Sequence, residues 1–242
     1  MKFMDMLSSN RRIAAAGVIL ALGLSAAPAA AQQIGQASAV ENQVTRVSSS
    51  GTAALSVGGS VFRMETIRTA QSSRARLTFL DNTNLSVGPS SSVVLNQFVY
   101  TGNSQAKTVG VNLVRGAFRF STGDSDKSAY RINTPVATIG VRGTVLDIRS
   151  AGGTTDITMV DNSEALVCSI SAGSCVLLSG AGSSVRVTSS GVTRLAAGTG
   201  FSFASNCTGN ICGSRFAGNG PIQQGDTLIV PVNAGSDLLC GR

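Results

Sequence analysis

Apolar residues along this chain recur in short alternating segments rather than at helical spacing. Leu77 and Phe79 alternate with Arg76 and Thr78, and Asp81-Asn82-Thr83-Asn84 then reads as a turn. Leu85 and Val87 follow, and Gly88-Pro89-Ser90 turns again. Val93, Leu95, Phe98 and Tyr100 form the next segment, closed by Gly102-Asn103. Val109, Val111, Leu113 and Ala117 to Phe120 form another. Val57, Val61 and Met64 begin this series. Ile157 and Met159, Leu166 and Cys168, Val176-Leu177-Leu178, Val185 and Val187, Leu195, and Phe201 with Phe203 continue it. After residue 31, and apart from the first few residues there, no helix-period pattern runs longer than about two turns, and the only helix expected is in the segment before it. The pattern predicts an all-β protein, read as a β-roll or short β-solenoid, with a β-sandwich as the alternative.

The centre of the pattern is Thr134-Pro135-Val136-Ala137-Thr138-Ile139-Gly140-Val141-Arg142-Gly143-Thr144. Pro135 suits a strand entrance, because it has no N–H to donate to a ladder. Apolar residues occupy odd positions at Ile139 and Val141, then even positions at Leu146 and Ile148. One extra residue around Arg142-Gly143-Thr144 produces that switch, which predicts a β-bulge or sharp corner there. Gly140 and Gly143 are read as backbone devices. Arg142 is read as a tie from the corner to Asp147, Asp81 or backbone carbonyls, the alternative being contact with an anionic ligand or partner.

Composition adds a compartment. Lys2, Arg11 and Arg12 precede an apolar stretch from Ile13 to Leu24, and Ala29-Ala30-Ala31 supplies small residues before Gln32. That is the pattern of a secretory signal peptide over residues 1–31, cut before Gln32. The expected location is therefore the periplasm of a Gram-negative bacterium, with secretion or the cell surface as the alternative. No further membrane span is expected after cleavage. The chain has 19 Lys and Arg, 12 Asp and Glu and no His, a net charge of +7. The basic residues are scattered and do not alternate with aromatics, so nucleic acid is not an expected partner.

Five cysteines lie in the last third of the chain. Export makes disulfides the expected state. Cys168 and Cys175 flank a hairpin tip, and Cys207 and Cys212 flank a tight loop, so two local bridges are predicted. Cys240 is left as an unpaired thiol. Without histidine there is no Ser-His-Asp or Cys-His arrangement and no ordinary zinc set. Asp124 and Asp126 lack the further oxygens a calcium loop needs. Neither a cofactor nor a metal is expected, and the chain is read as a non-enzyme.

The segment Thr134 to Thr144 resembles the most recognisable motif of the FecR domain, the periplasmic part of bacterial iron-transport regulators. Ser73 to Thr83, Leu85 to Ser91 and Leu113 to Phe120 resemble its other segments in order and spacing. The resemblance spans roughly residues 60–160. It implies a β-rich, solenoid-like domain over residues 60–205. Residues 32–59 then form a lead-in, and residues 206–242 a cysteine-containing tail that caps the β body with a strand near Thr227 to Val232. The family's regulators pass a signal from an outer-membrane transporter to a sigma factor, using a cytoplasmic segment and a membrane helix. This chain has a signal-like start instead and no Trp. The resemblance therefore implies only the sensing or binding half of that role, toward an envelope protein or a cell-wall or surface polymer. Arg142, Gly143, Thr144, Thr138 and Gly140 are the candidate binding residues. A structural or adhesive surface protein and a glycan hydrolase are the alternative readings.

Overall fold

The computed structural model describes residues 31–101 and 105–206. The signal-like segment, the Cys207–Cys212 pair, Cys240 and the capping strand lie outside the described residues. The chain forms strands β1 (Gln33–Glu41), β2 (Val44–Ser48), β3 (Gly51–Ala54), β4 (Ser60–Phe62), β5 (Thr66–Thr69), β6 (Arg74–Phe79), β7 (Asn84–Val87), β8 (Ser92–Thr101) and β9 (Gln105–Ser121). It continues with β10 (Tyr130–Asn133), β11 (Ala137–Arg142), β12 (Val145–Ala151), β13 (Thr154–Met159), β14 (Glu164–Ser169), β15 (Cys175–Ser179), β16 (Ser184–Thr188) and β17 (Gly191–Arg194). The alternating sequence thus folds as an all-β protein. Where the apolar alternation at Phe201 and Phe203 predicts strand, the chain instead makes a short helix, α1 (Phe203–Asn206).

The strands make two layers. Sheet A runs β4-β1-β6-β7-β9-β12-β13-β16-β17, and every pairing in it is antiparallel. Sheet B runs β3-β2-β5-β8-β9-β10-β11-β14-β15, with one parallel pairing, β9 with β10. Beyond β9 the chain lays hairpins on the layers in turn: β10–β11 on B, β12–β13 on A, β14–β15 on B and β16–β17 on A. Strands β1 to β3 belong to these same layers, so residues 32–59 are part of the body rather than a lead-in to it.

Strand β9 belongs to both sheets. Its first part pairs with β8 as far as Arg115, and its second part pairs with β7 and β12 from Gly116 to Ser121. The change of sheet falls at Gly116, whose φ is +114°. A side chain there would stand 2.0 Å from Ser91 Oγ and 2.6 Å from Ser91 Cα. Two independent constraints, backbone conformation and space, therefore select glycine. Ser91 uses the closeness, its Oγ accepting a hydrogen bond from Ala117 N at 3.1 Å.

The core lies between the layers. Leu77, Phe79, Leu85, Phe118, Phe120 and Ile148 from sheet A meet Phe98, Leu113, Ile132 and Ile139 from sheet B. The Phe79 and Phe98 rings, one from each sheet, are 4.7 Å apart at their centroids. Irregular pairing of β8 with β9 between Val94 and Gln97 explains why the buried positions of β8 step from Val93 and Leu95 to Phe98. Some apolar residues that the alternation assigns to the core are exposed instead. Val57 and Met64 are both 64% exposed, and Leu166 is 48% exposed because its neighbours Ala165 and Val167 face inward.

The corner after β11 is a passage between sheets rather than a bulge within one strand. Strand β11 lies in sheet B and β12 in sheet A, and Gly143 turns the chain with φ +67°. The change in apolar parity is the trace of that passage. Gly140, by contrast, has an ordinary φ and open space where a side chain would stand, so it is not a backbone device.

These glycines make opposite predictions. Gly116→Ala should lose about 1–3 kcal/mol from backbone strain alone, with the overlap on Ser91 adding to it. Gly140→Ala should change stability by no more than about 0.5 kcal/mol. Urea unfolding of both variants checks the contrast.

Candidate binding face on sheet B

Strand alternation and cross-strand register decide where the motif's side chains stand. In β11 the odd residues Ile139 and Val141 enter the core, so Thr138, Gly140 and Arg142 stand on the outer face of sheet B. Register carries each across the face. Thr138 lies opposite Cys168, Gly140 opposite Leu166, and Arg142 opposite Glu164. The next strand continues the rows with Cys175, Leu177 and Ser179. On the other side, Gly140 lies opposite Arg131 and Thr138 opposite Asn133, whose Oδ1 accepts a hydrogen bond from Thr138 Oγ1 at 3.2 Å.

The middle row is apolar and uncovered. Leu166 is 48% and Leu177 49% exposed, directly paired across β14 and β15. Gly140 beside them leaves the sheet flat, with nothing within 4 Å of where its side chain would begin. Exposed Arg131, Arg142 and Glu164 surround the row. On its other flank the Cys168–Cys175 disulfide joins directly opposed residues of β14 and β15.

Arg142 does not tie the corner. Among the described residues its side chain makes no hydrogen bond or ion pair, and both proposed partners are engaged elsewhere. Asp147 holds Arg119 with two hydrogen bonds, at 2.6 and 2.9 Å. Asp81 is buried and accepts from Thr83 Oγ1 at 2.8 Å, Ser125 Oγ at 2.8 Å and Tyr130 OH at 3.1 Å. Burial raises the Tyr130 phenol, so it stays a donor to Asp81 at neutral pH. The carboxylate thus locks the β6–β7 turn to the loop before β10.

The residue that holds the corner is Asp161. Its carboxylate accepts from Val145 N at 3.0 Å and from Thr144 Oγ1 at 3.1 Å, and Thr144 is almost fully buried. Thr144 and Gly143 are therefore corner residues, and only Thr138, Gly140 and Arg142 of the predicted set share the exposed face. Asp124 accepts from Asn82 Nδ2 at 2.5 Å as part of the turn lock. The described residues hold no group of acidic or sulfur ligands placed to bind a metal. No helix among them is long and apolar enough to cross a membrane.

The outer face of sheet A carries a charge ladder that strand patterning alone does not show. Arg119 pairs with Asp147, while Asp156 holds Arg149 at 2.6 Å and Arg186 at 2.7 Å. Burial pushes the Asp156 carboxyl up, but the hydrogen bonds and charges of Arg186 and Arg149 outweigh it and hold the group below the usual carboxylate range. Because the native value is depressed, the stabilisation is complete above the unfolded value of 3.8 and fades as pH falls through the lower native one. Asp156→Asn should therefore lower stability at neutral pH and flatten its decline below about pH 4, as measured by urea midpoints across an acid series.

Residues 65–163 match the family described as FecR protein. No curated protein matches the chain. Among solved structures, two crystal structures of a "putative anti-sigma factor" from Parabacteroides distasonis, at 1.65 and 2.50 Å resolution, superimpose with a TM-score of 0.43 at 11% and 12% identity. The alignment covers 54% of this chain and 58% of that protein, less than two thirds of its length. From the entrance of β5 to the turn before β14, residues 65–163, this chain carries a match to the FecR protein family.

Proposed function

We propose that this chain is a non-catalytic, exported binding or sensing module that engages an envelope protein through the outer face of sheet B. The FecR domain supports a regulatory role rather than an enzymatic one. One observation carries the choice of surface. The motif residues Thr138, Gly140 and Arg142 stand together beside the exposed Leu166–Leu177 pair. An apolar row bordered by guanidinium groups suits a protein surface with an apolar patch rimmed by carboxylates. The signal-like pattern at the start of the sequence supports the exported part of this reading.

The face can be probed without disturbing the fold, because its side chains are exposed. Arg142→Ala should leave the urea midpoint unchanged within about 0.5 kcal/mol. A photo-crosslinking residue at Leu177 should give one discrete adduct in cell envelopes, and the same probe at exposed Val57 should not. Leu166→Glu or Arg142→Glu should abolish or sharply reduce that adduct. Identical adducts from both positions, or an adduct indifferent to both substitutions, would reject the assignment.

A further inference from the structure

Phe201 and Phe203 are buried, yet they do not belong to the core between the sheets. They form a separate cluster with Ala117 on the outer side of sheet A. The Arg149 guanidinium lies 5.4 Å from the Phe201 ring centre, and that of Arg119 lies 5.8 Å from the Phe203 ring centre. Each guanidinium is already held by a carboxylate, Arg149 by Asp156 and Arg119 by Asp147. The two aromatic seats are therefore built into the sheet and do not depend on the rings to orient them. Asp147 Oδ2 also accepts a hydrogen bond from Phe203 N at 2.8 Å. One carboxylate thus positions a seat and grips the backbone of what sits in it.

The fit beneath the segment is close in one place and incomplete in another. A side chain at Gly200 would stand 2.5 Å from Thr158 Oγ1 and 2.7 Å from Ser184 Oγ, so only glycine passes there. Both hydroxyls are buried and, among the described residues, neither has a hydrogen-bond partner. The segment covers two polar groups without satisfying them. It also follows β17, so its departure would interrupt no ladder. The floor it would expose is charged and hydroxylated, with Ala117 as an apolar part of it.

We propose that the outer face of sheet A is a receiving site for peptide segments bearing an aromatic-x-aromatic pair, and that Gly200–Asn206 fills it as an internal ligand. In the internal ligand the two rings stand two residues apart, the second at the start of α1, and each reaches its own guanidinium seat. A partner segment that also satisfies Thr158 and Ser184 has hydrogen bonds the internal ligand lacks. This site is distinct from the face on sheet B and does not rest on the function proposed for it.

The test uses the full chain and a fluorescent peptide of residues 198–206, read by anisotropy. The Phe201→Ala/Phe203→Ala variant empties the seats and should bind the peptide saturably. The wild type should bind at least about tenfold more weakly, because its own segment competes at high effective concentration. Adding Arg119→Ala to the variant, or replacing both phenylalanines of the peptide by alanine, should remove binding. Equal binding by wild type and variant, no binding by a cooperatively melting variant, or binding of the alanine peptide would each overturn the proposal. If the double variant does not melt cooperatively, Gly200→Val, which displaces the segment by its clash with Thr158 and Ser184, takes its place with the same expectations. Failure of both to fold would show the segment to be an indispensable part of the fold, and would also overturn the proposal.

Discussion

Everything on either side of β9 depends on its passage from one sheet to the other at Gly116. The strand is the template for β8 and β10 in one layer and for β7 and β12 in the other. A positive φ and the pressure of Ser91 leave room only for glycine at the crossing. The two layers are thus linked by a single continuous ladder. Their inner faces meet in one apolar core, and their outer faces are free to differ.

They do differ. Sheet A presents guanidinium and carboxylate groups in cross-strand pairs and is covered in part by the chain's own Phe201 and Phe203. Sheet B, around β11, β14 and β15, presents a flat row of Gly140, Leu166 and Leu177 with no covering segment among the described residues. Burying paired charges adds little net stability compared with an apolar replacement, but it fixes the orientation of each group. Asp81 does the same inside the body, where Thr83, Ser125 and Tyr130 hydroxyls converge on one carboxylate. The motif is therefore displayed on a body pinned at its turns by carboxylates.

Much of this was legible in the residues because a strand's periodicity of two survives in a single sequence. The turns at Asp81–Asn84 and Gly88–Ser90 follow from Asp, Asn and Gly chemistry. The change of parity between Val141 and Leu146 announces a corner, and the span of the FecR-like resemblance, roughly residues 60–160, ends within a few residues of the matched span, 65–163. What is not legible is the pairing of strands distant in sequence. Whether Leu166 or Ala165 faces the core depends on the partner of β14, so the larger side chain misleads. Arg142 looks like the natural partner of Asp147 at a separation of five residues. In the fold the two lie on different sheets, and Arg119, from another strand, takes Asp147. Asp161 escapes notice for the same reason: its work is done across a turn on residues 16 and 17 positions earlier.

If the motif face of sheet B is the proposed binding face, it is free in the isolated protein and occupied in the envelope. Hydroxyl-radical footprinting, read by mass spectrometry on purified protein and on intact envelopes, tests it directly. Leu166 and Leu177 should lose reactivity in the envelope, while Val57 and Met64, exposed away from that face, should keep theirs. Unchanged reactivity at Leu166 and Leu177, or an equal loss at all four positions, would contradict it.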